Sequence, residues 1–179
     1  MPVIRTKPEP VALSSERHRE LVGQLSRELA GKPTRGGPVI FEIPLDQRDE
    51  VDVFVVWQAW EGLRWEDRSS VILEAYQGLP TKVAQPLGVT YDEAVQQGLL
   101  PYAIEPNVHR GEKADEGRLR DALLKQGAIE LPDRGGTIRL LFPNRRMAES
   151  ACDDLRKAVP EADWSIVQNV GSVQEWYQR

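Results

Sequence analysis

The chain is poor in the side chains that build disulfide bonds and metal sites. Its 179 residues include one cysteine and two histidines. A single cysteine excludes a disulfide framework, or a four-cysteine metal site, within one chain. Cys152 lies on the inner stripe of a predicted helix, which favours a small core residue over a nucleophile. We therefore expect neither a disulfide nor a metal centre.

Long apolar runs are missing as well. No stretch of the sequence approaches the roughly 18 consecutive apolar residues that a membrane-spanning helix needs. The N-terminal residues, MPVIRTKPEP, lack the apolar segment of a secretory signal. The single cysteine fits a reducing compartment. Together these absences predict a cytoplasmic protein that does not contact the membrane.

None of the common catalytic motifs occurs in the sequence. There is no Gly-x-Gly-x-x-Gly, no Walker-type loop, no Gly-x-Ser-x-Gly and no His-Glu-x-x-His. Carboxylates are plentiful, but their spacing selects no pair for acid–base catalysis. The sequence therefore predicts a non-catalytic protein that uses no cofactor. An enzyme that uses two catalytic acids remains an alternative.

Positive charge is scarce in the middle of the chain. Residues 37–110 carry 12 acidic and 5 basic side chains, within a net charge of -5. Such a segment repels phosphate backbones, which argues against nucleic acid unless the basic N-terminal arm makes the contact. DNA binding remains an alternative, because residues 82–98 resemble a helix-turn-helix, with Gly-Val-Thr four residues after Ala84. The same stretch also fits a short helix whose capping box is Thr90 and Glu93.

The sequence does contain a dense apolar stretch at residues 51–76. Its β-branched and aromatic part, Val53–Trp57, predicts a strand that is buried on both faces in the middle of a sheet. The preceding segment, Pro38–Leu45, has a proline near each end and a short polar link, which predict an antiparallel hairpin with this segment at the edge. Glu66 and Asp67 then open a helix that extends to Gln77.

The last third of the chain predicts a β-α-β unit. Thr137–Phe142 and Trp164–Val170 have strand patterns, and between them Asn144 caps an amphipathic helix. A crossover of this length brings the two strands parallel. Ser172 and Glu175 form a capping box over a final turn.

These elements predict an α+β fold. We expect a flexible tail at 1–13 and a single domain at 14–179, with a mixed sheet of four to six strands and helices mainly on one face. The predicted parts of this domain are an N-terminal helix at 14–33, a hairpin and helix at 36–106, and the β-α-β unit at 107–179.

Tryptophan suggests a function. Five tryptophans occur in the chain, and three of them crowd the end of the central strand. Because strand residues alternate faces, Trp57 and Trp60 should point to opposite sides, which would leave one indole exposed for an interface. The alternative is that all three close over one core. We predict a surface for a protein partner, or for self-association, built from either Trp60 or Trp65 and the acidic loop residues Asp46, Asp49 and Glu50.

A second candidate site is the start of the helix that follows Phe142. Asn144 is a good N-cap, and Arg145 and Arg146 occupy the first turn, where the helix dipole already favours an anion. Two cations there oppose the dipole and therefore call for a negative partner. That partner is either an acidic group of this chain or a phosphate or carboxylate ligand, which makes an anion-binding protein or enzyme an alternative function.

Overall fold

The computed structural model describes residues 12–32, 34, 36–46, 48–107, 115–131 and 137–169. The predicted tail lies almost wholly outside this range, as does the capping box of Ser172 and Glu175. Contacts divide the chain into two compact units, Met1–Tyr91 and Asp92–Arg179. None of the described helices combines the length and the apolar character needed to cross a bilayer.

The first unit is a three-stranded sheet with two helices. Strand order is β1-β2-β3, with β1 antiparallel and β3 parallel to the central β2. A 3-10 turn, Gln58–Trp60, lies between β2 and α2. The elements are α1 (Ser15–Leu29), β1 (Val39–Pro44), β2 (Val51–Val56), α2 (Trp65–Ala75) and β3 (Val83–Val89).

The prediction for the central strand is confirmed. β2 lies between two partners, and all of Val53 to Val56 is buried. Val53 and Val55 share one face, where they join a core with Leu21 of α1 and Ile72 of α2. The predicted hairpin also forms, and β1 lies at the sheet edge. The predicted helix is α2, which begins at Trp65 and ends at Ala75, and its Val71 and Ile72 join this core.

The helix-turn-helix interpretation is wrong at its first helix. The segment Val83–Val89 is strand β3, which pairs in parallel with β2. Pro86 would break a helix, whereas an edge strand tolerates a proline. The second half of the stretch does form the predicted short helix, α3 (Tyr91–Gln96), and Gly98 follows it with a φ of 65°.

Trp60 and Gly88 approach each other closely in the first unit. A Cβ added to Gly88 would lie 3.1 Å from Cε2 of Trp60 and 3.0 Å from Cβ of Arg68. The indole N–H of Trp60 donates to the carbonyl of Val55 at 3.3 Å, so the ring cannot shift without losing a buried hydrogen bond. A Cβ at this position of β3 would therefore crowd the ring.

The second unit is a four-stranded antiparallel sheet with helices. Strand order is β5-β6-β4-β7, and the connectivity from β4 to β7 is β-α-β-β-α-β, the arrangement of ferredoxin-like domains. After α3, the elements are β4 (Tyr102–Asn107), α4 (Glu116–Lys125), β5 (Ile129–Leu131), β6 (Thr137–Phe142), α5 (Arg145–Ala158) and β7 (Asp163–Gln168).

The predicted C-terminal β-α-β unit is present as β6-α5-β7. Both strands are antiparallel to β4, so they are parallel to each other with β4 between them. Cys152 and Leu155 of α5 and Trp164 of β7 are buried. The α+β class is thus confirmed, but the strands form two sheets where one was predicted. The short β5 and the proline-containing β3 were missed because neither has a clear strand pattern.

Replacing Gly88 with alanine should destabilise the protein. The new methyl group would press on Trp60 and on the Cβ of Arg68, and such overpacking costs about 1–3 kcal/mol. Chemical denaturation of wild type and Gly88→Ala measures the change in the free energy of unfolding. Gly23→Ala is the matched control, because its Cβ meets no atom within 4 Å in the middle of α1 and should stabilise the helix by about 0.5–1 kcal/mol. Equal stability of Gly88→Ala and wild type would contradict the close contact.

Candidate functional site

The three neighbouring tryptophans have different environments. Trp57 and Trp60 are buried, with ring centroids 5.1 Å apart in an edge contact. The prediction that they point to opposite sides is wrong, because Trp60 lies on the 3-10 turn and not on the strand. Trp60 therefore cannot contribute to an exposed partner surface, while Trp65 is 44% exposed.

The structure separates Trp65 from the acidic loop. Asp46, Asp49 and Glu50 precede β2, and the latter two line a pocket with Lys82 just before β3. Trp65 lies near the other ends of these strands, because the neighbouring Arg68 donates to the Gly88 carbonyl. Six residues of strand span about 17 Å. The two parts predicted as one surface thus lie at opposite ends of the sheet.

Arg68 holds the Trp65 ring. Its guanidinium carbon lies 4.7 Å from the ring centroid, within the range of a cation–π contact. The same guanidinium donates to the carbonyls of Leu63 at 3.0 Å and Gly88 at 3.1 Å. Arg68 is itself buried. This residue was not singled out from the sequence, since its position on the inner stripe of α2 gives no signal of the carbonyls it meets.

Exposed apolar side chains concentrate around α2. Among the described residues, four large hydrophobic side chains are exposed, and three of them lie at 65–79. Trp65, Ser69 and Leu73 follow one another at a spacing of four residues, which places them along one side of the helix. We call these three residues the α2 stripe.

The predicted cap of α5 is confirmed, and its arginines are exposed. The Oδ1 atom of Asn144 accepts from the Met147 backbone N–H at 2.9 Å. Arg145 forms an ion pair with Glu149 at 2.8 Å, one turn along the same helix. Arg146 is exposed. An acidic group of the chain thus partners one of the two arginines, and an anion at this turn stays a prediction.

Two polar contacts fasten α2 to its neighbours. His18 of α1 lies 2.7 Å from Oε2 of Glu74, and the Tyr76 hydroxyl donates to Glu42 of β1 at 2.8 Å. Burial and the adjacent Glu42 carboxylate raise the pKa of the tyrosine. Both contacts join structural elements of the first unit.

Cys152 has the environment of a core residue. Its side chain is buried in α5, and burial, chiefly, raises the pKa of the thiol. A raised pKa disfavours the thiolate that nucleophilic or metal-binding cysteines need. Across the described part of the chain, no three histidine, cysteine or acidic side chains converge as a metal site would require.

The second unit contains a cleft of about 260 Å³ between β4 and β6. Glu105 and Pro106 line one wall, Ile138 and Arg139 the other, and Leu123 of α4 closes one side. The carboxylate of Glu105 lies 3.7 Å from the Arg139 guanidinium. Neither residue was singled out from the sequence, because nothing local indicates that side chains 34 positions apart meet.

Comparison with known proteins gives no relative. No protein-family model matches the chain, and neither the curated proteins nor the solved structures contain a significant match. Function must therefore be inferred from the α2 stripe, the start of α5 and the β4–β6 cleft themselves.

The Cys152 thiol should be unreactive in the folded protein. A buried thiol with a raised pKa offers little thiolate to an electrophile at neutral pH. Titration with a chromogenic disulfide reagent should release almost no product from the native chain and one equivalent after denaturation. Rapid stoichiometric reaction of the native protein would show instead that Cys152 is accessible and activated.

Proposed function

We propose that the protein is a non-catalytic, cytoplasmic interaction protein that binds a protein partner through the α2 stripe. The observation that supports this most strongly is that two large apolar side chains on one side of α2, Trp65 and Leu73, are exposed. Scattered exposed hydrophobics are ordinary, whereas clustered ones mark interaction surfaces. Tryptophan in particular is enriched among the residues that dominate binding energy.

Trp65 is suited to act as an anchor. Its ring is stacked on Arg68, which two backbone carbonyls hold in place. An aromatic ring that is fixed before binding loses little conformational entropy when a partner covers it. A partner would thus contact the Trp65 ring in the orientation that Arg68 favours, with Leu73 about two turns further along α2.

The charges around the stripe indicate the chemistry of the partner. Glu61 and Glu66 are exposed and close to Trp65 in the sequence, whereas Glu74 and Asp67 are already paired with His18 and Arg64. The carboxylates of Glu61 and Glu66 beside the indole complement a partner that presents lysine or arginine next to apolar side chains. Two copies of the stripe would place these carboxylates near each other, so we favour a different protein over self-association.

The other functions have less support. DNA binding loses the helix-turn-helix on which it rested, since residues 83–89 are a strand. Anion binding at Arg145 would have to compete with Glu149 for the guanidinium. We therefore keep the α2 stripe as the site of the proposed function.

A photo-crosslinking amino acid at Ser70 tests the proposal. Ser70 is exposed on α2 beside the stripe, and Ser150 is an exposed serine on α5. In the native host, the probe at Ser70 should form an adduct with another protein, while the probe at Ser150 should not. Trp65→Ala/Leu73→Ala should lower the yield at least about tenfold, as expected when anchor residues are truncated.

Matched variants make the result decisive. Leu124→Ala removes an exposed leucine from α4 and should leave the adduct at Ser70 unchanged. High salt should weaken the adduct, because the proposed partner is basic. An adduct made only of two copies of this chain would replace the proposal with self-association, and no adduct from a folded chain would overturn both.

A further inference from the structure

The sheet of the second unit divides between its two central strands. Pairing of β4 with β6 ends at Ile104 and Leu140. Beyond this point β4 continues to pair with β7 as far as Asn107, and β6 continues to pair with β5 as far as Thr137. Pro106 has no N–H to offer a neighbouring strand. The sheet therefore opens into two ribbons with a gap between Glu105–Pro106 and Ile138–Arg139.

The gap is large enough for a small molecule. Its volume of about 260 Å³ corresponds to roughly nine water molecules at ~30 Å³ each, and it lies just below the usual range of small-molecule sites. Leu123, Ile138 and Leu140 contribute apolar side chains to its walls. An aliphatic group of a few carbons would contact these side chains.

The charged pair in the cleft is loosely engaged. The 3.7 Å between Glu105 and Arg139 exceeds the length of a charge-assisted hydrogen bond, whereas the Arg118–Glu161 pair in the same unit measures 2.6 Å. The side chains are 52% and 44% exposed. A ligand can therefore reach both charges from solvent without breaking a hydrogen bond between them.

These features select a ligand that carries both charges. A simple anion would be attracted by Arg139 but repelled by Glu105. A simple cation would be attracted by Glu105 but repelled by Arg139. A neutral apolar compound would fill the cleft and cover two imperfectly paired charges, which is costly. An α-amino acid places an ammonium and a carboxylate on one carbon, matching two opposite charges a few ångströms apart.

We propose that the β4–β6 cleft binds a free aliphatic α-amino acid, of the size of leucine. Arg139 receives the carboxylate through its guanidinium fork, and Glu105 accepts hydrogen bonds from the ammonium group. The side chain enters between Leu123 and Ile138. This site is independent of the α2 stripe, so its failure or success leaves the proposed function untouched.

Calorimetric titration of the full chain with L-leucine and three analogues tests the site. Leucine should bind saturably at millimolar concentrations and raise the melting temperature. N-acetyl-leucine lacks the ammonium, leucinamide lacks the carboxylate and glycine lacks the side chain. Each should bind at least about tenfold more weakly, because each leaves a charge or the apolar pocket without a partner. Equal binding of leucine and either singly charged analogue would overturn the proposal.

Variants identify the cleft as the place of binding. Glu105→Gln and Arg139→Gln should each weaken leucine at least about tenfold. Arg118→Gln, which removes an exposed ion pair elsewhere in the unit, should bind like wild type. Unchanged affinity in both cleft variants would overturn the assignment, as would the absence of any binding heat with wild type. Should a cleft variant fail to fold, the analogue series on wild type still decides.

Discussion

The burial of Trp60 against Gly88 is the constraint on which the first unit depends. The indole fills the space over a residue without a side chain, and its N–H is satisfied by the Val55 carbonyl. To reach that position the chain must turn back directly after β2, which it does in a 3-10 turn. The start of α2 is thereby fixed beside the end of β3. The exposure of Trp65 follows, because the core position is already occupied by Trp60.

The same packing accounts for the buried charge beside it. Arg68 lies next to Gly88 and donates to the carbonyls of Leu63, before α2, and of Gly88, near the end of β3. Its guanidinium then faces the Trp65 ring. The hydrogen bonds that satisfy the backbone at the end of a parallel strand thus also place a cation against one face of an exposed indole. Tryptophan is enriched among the residues that dominate interface energies.

In the second unit the corresponding constraint is the way the two central strands pair. Pairing of β4 with the outer strand β7, and of β6 with the outer strand β5, extends beyond the point where β4 and β6 stop pairing with each other. The cleft and its loosely engaged ion pair result from this division.

The sequence by itself determined the elements that depend on near neighbours. The buried strand Val53–Val56, the Asn144 cap and the β6-α5-β7 unit follow from periodicity and capping, which act over a few residues. Tertiary structure alone decided which tryptophan is exposed, that the strands form two sheets, and that Glu105 meets Arg139. These outcomes depend on pairs far apart in the chain, such as Trp60 with Gly88. Local patterns do not encode such partners, because side chains of many sequence positions could fill the same space.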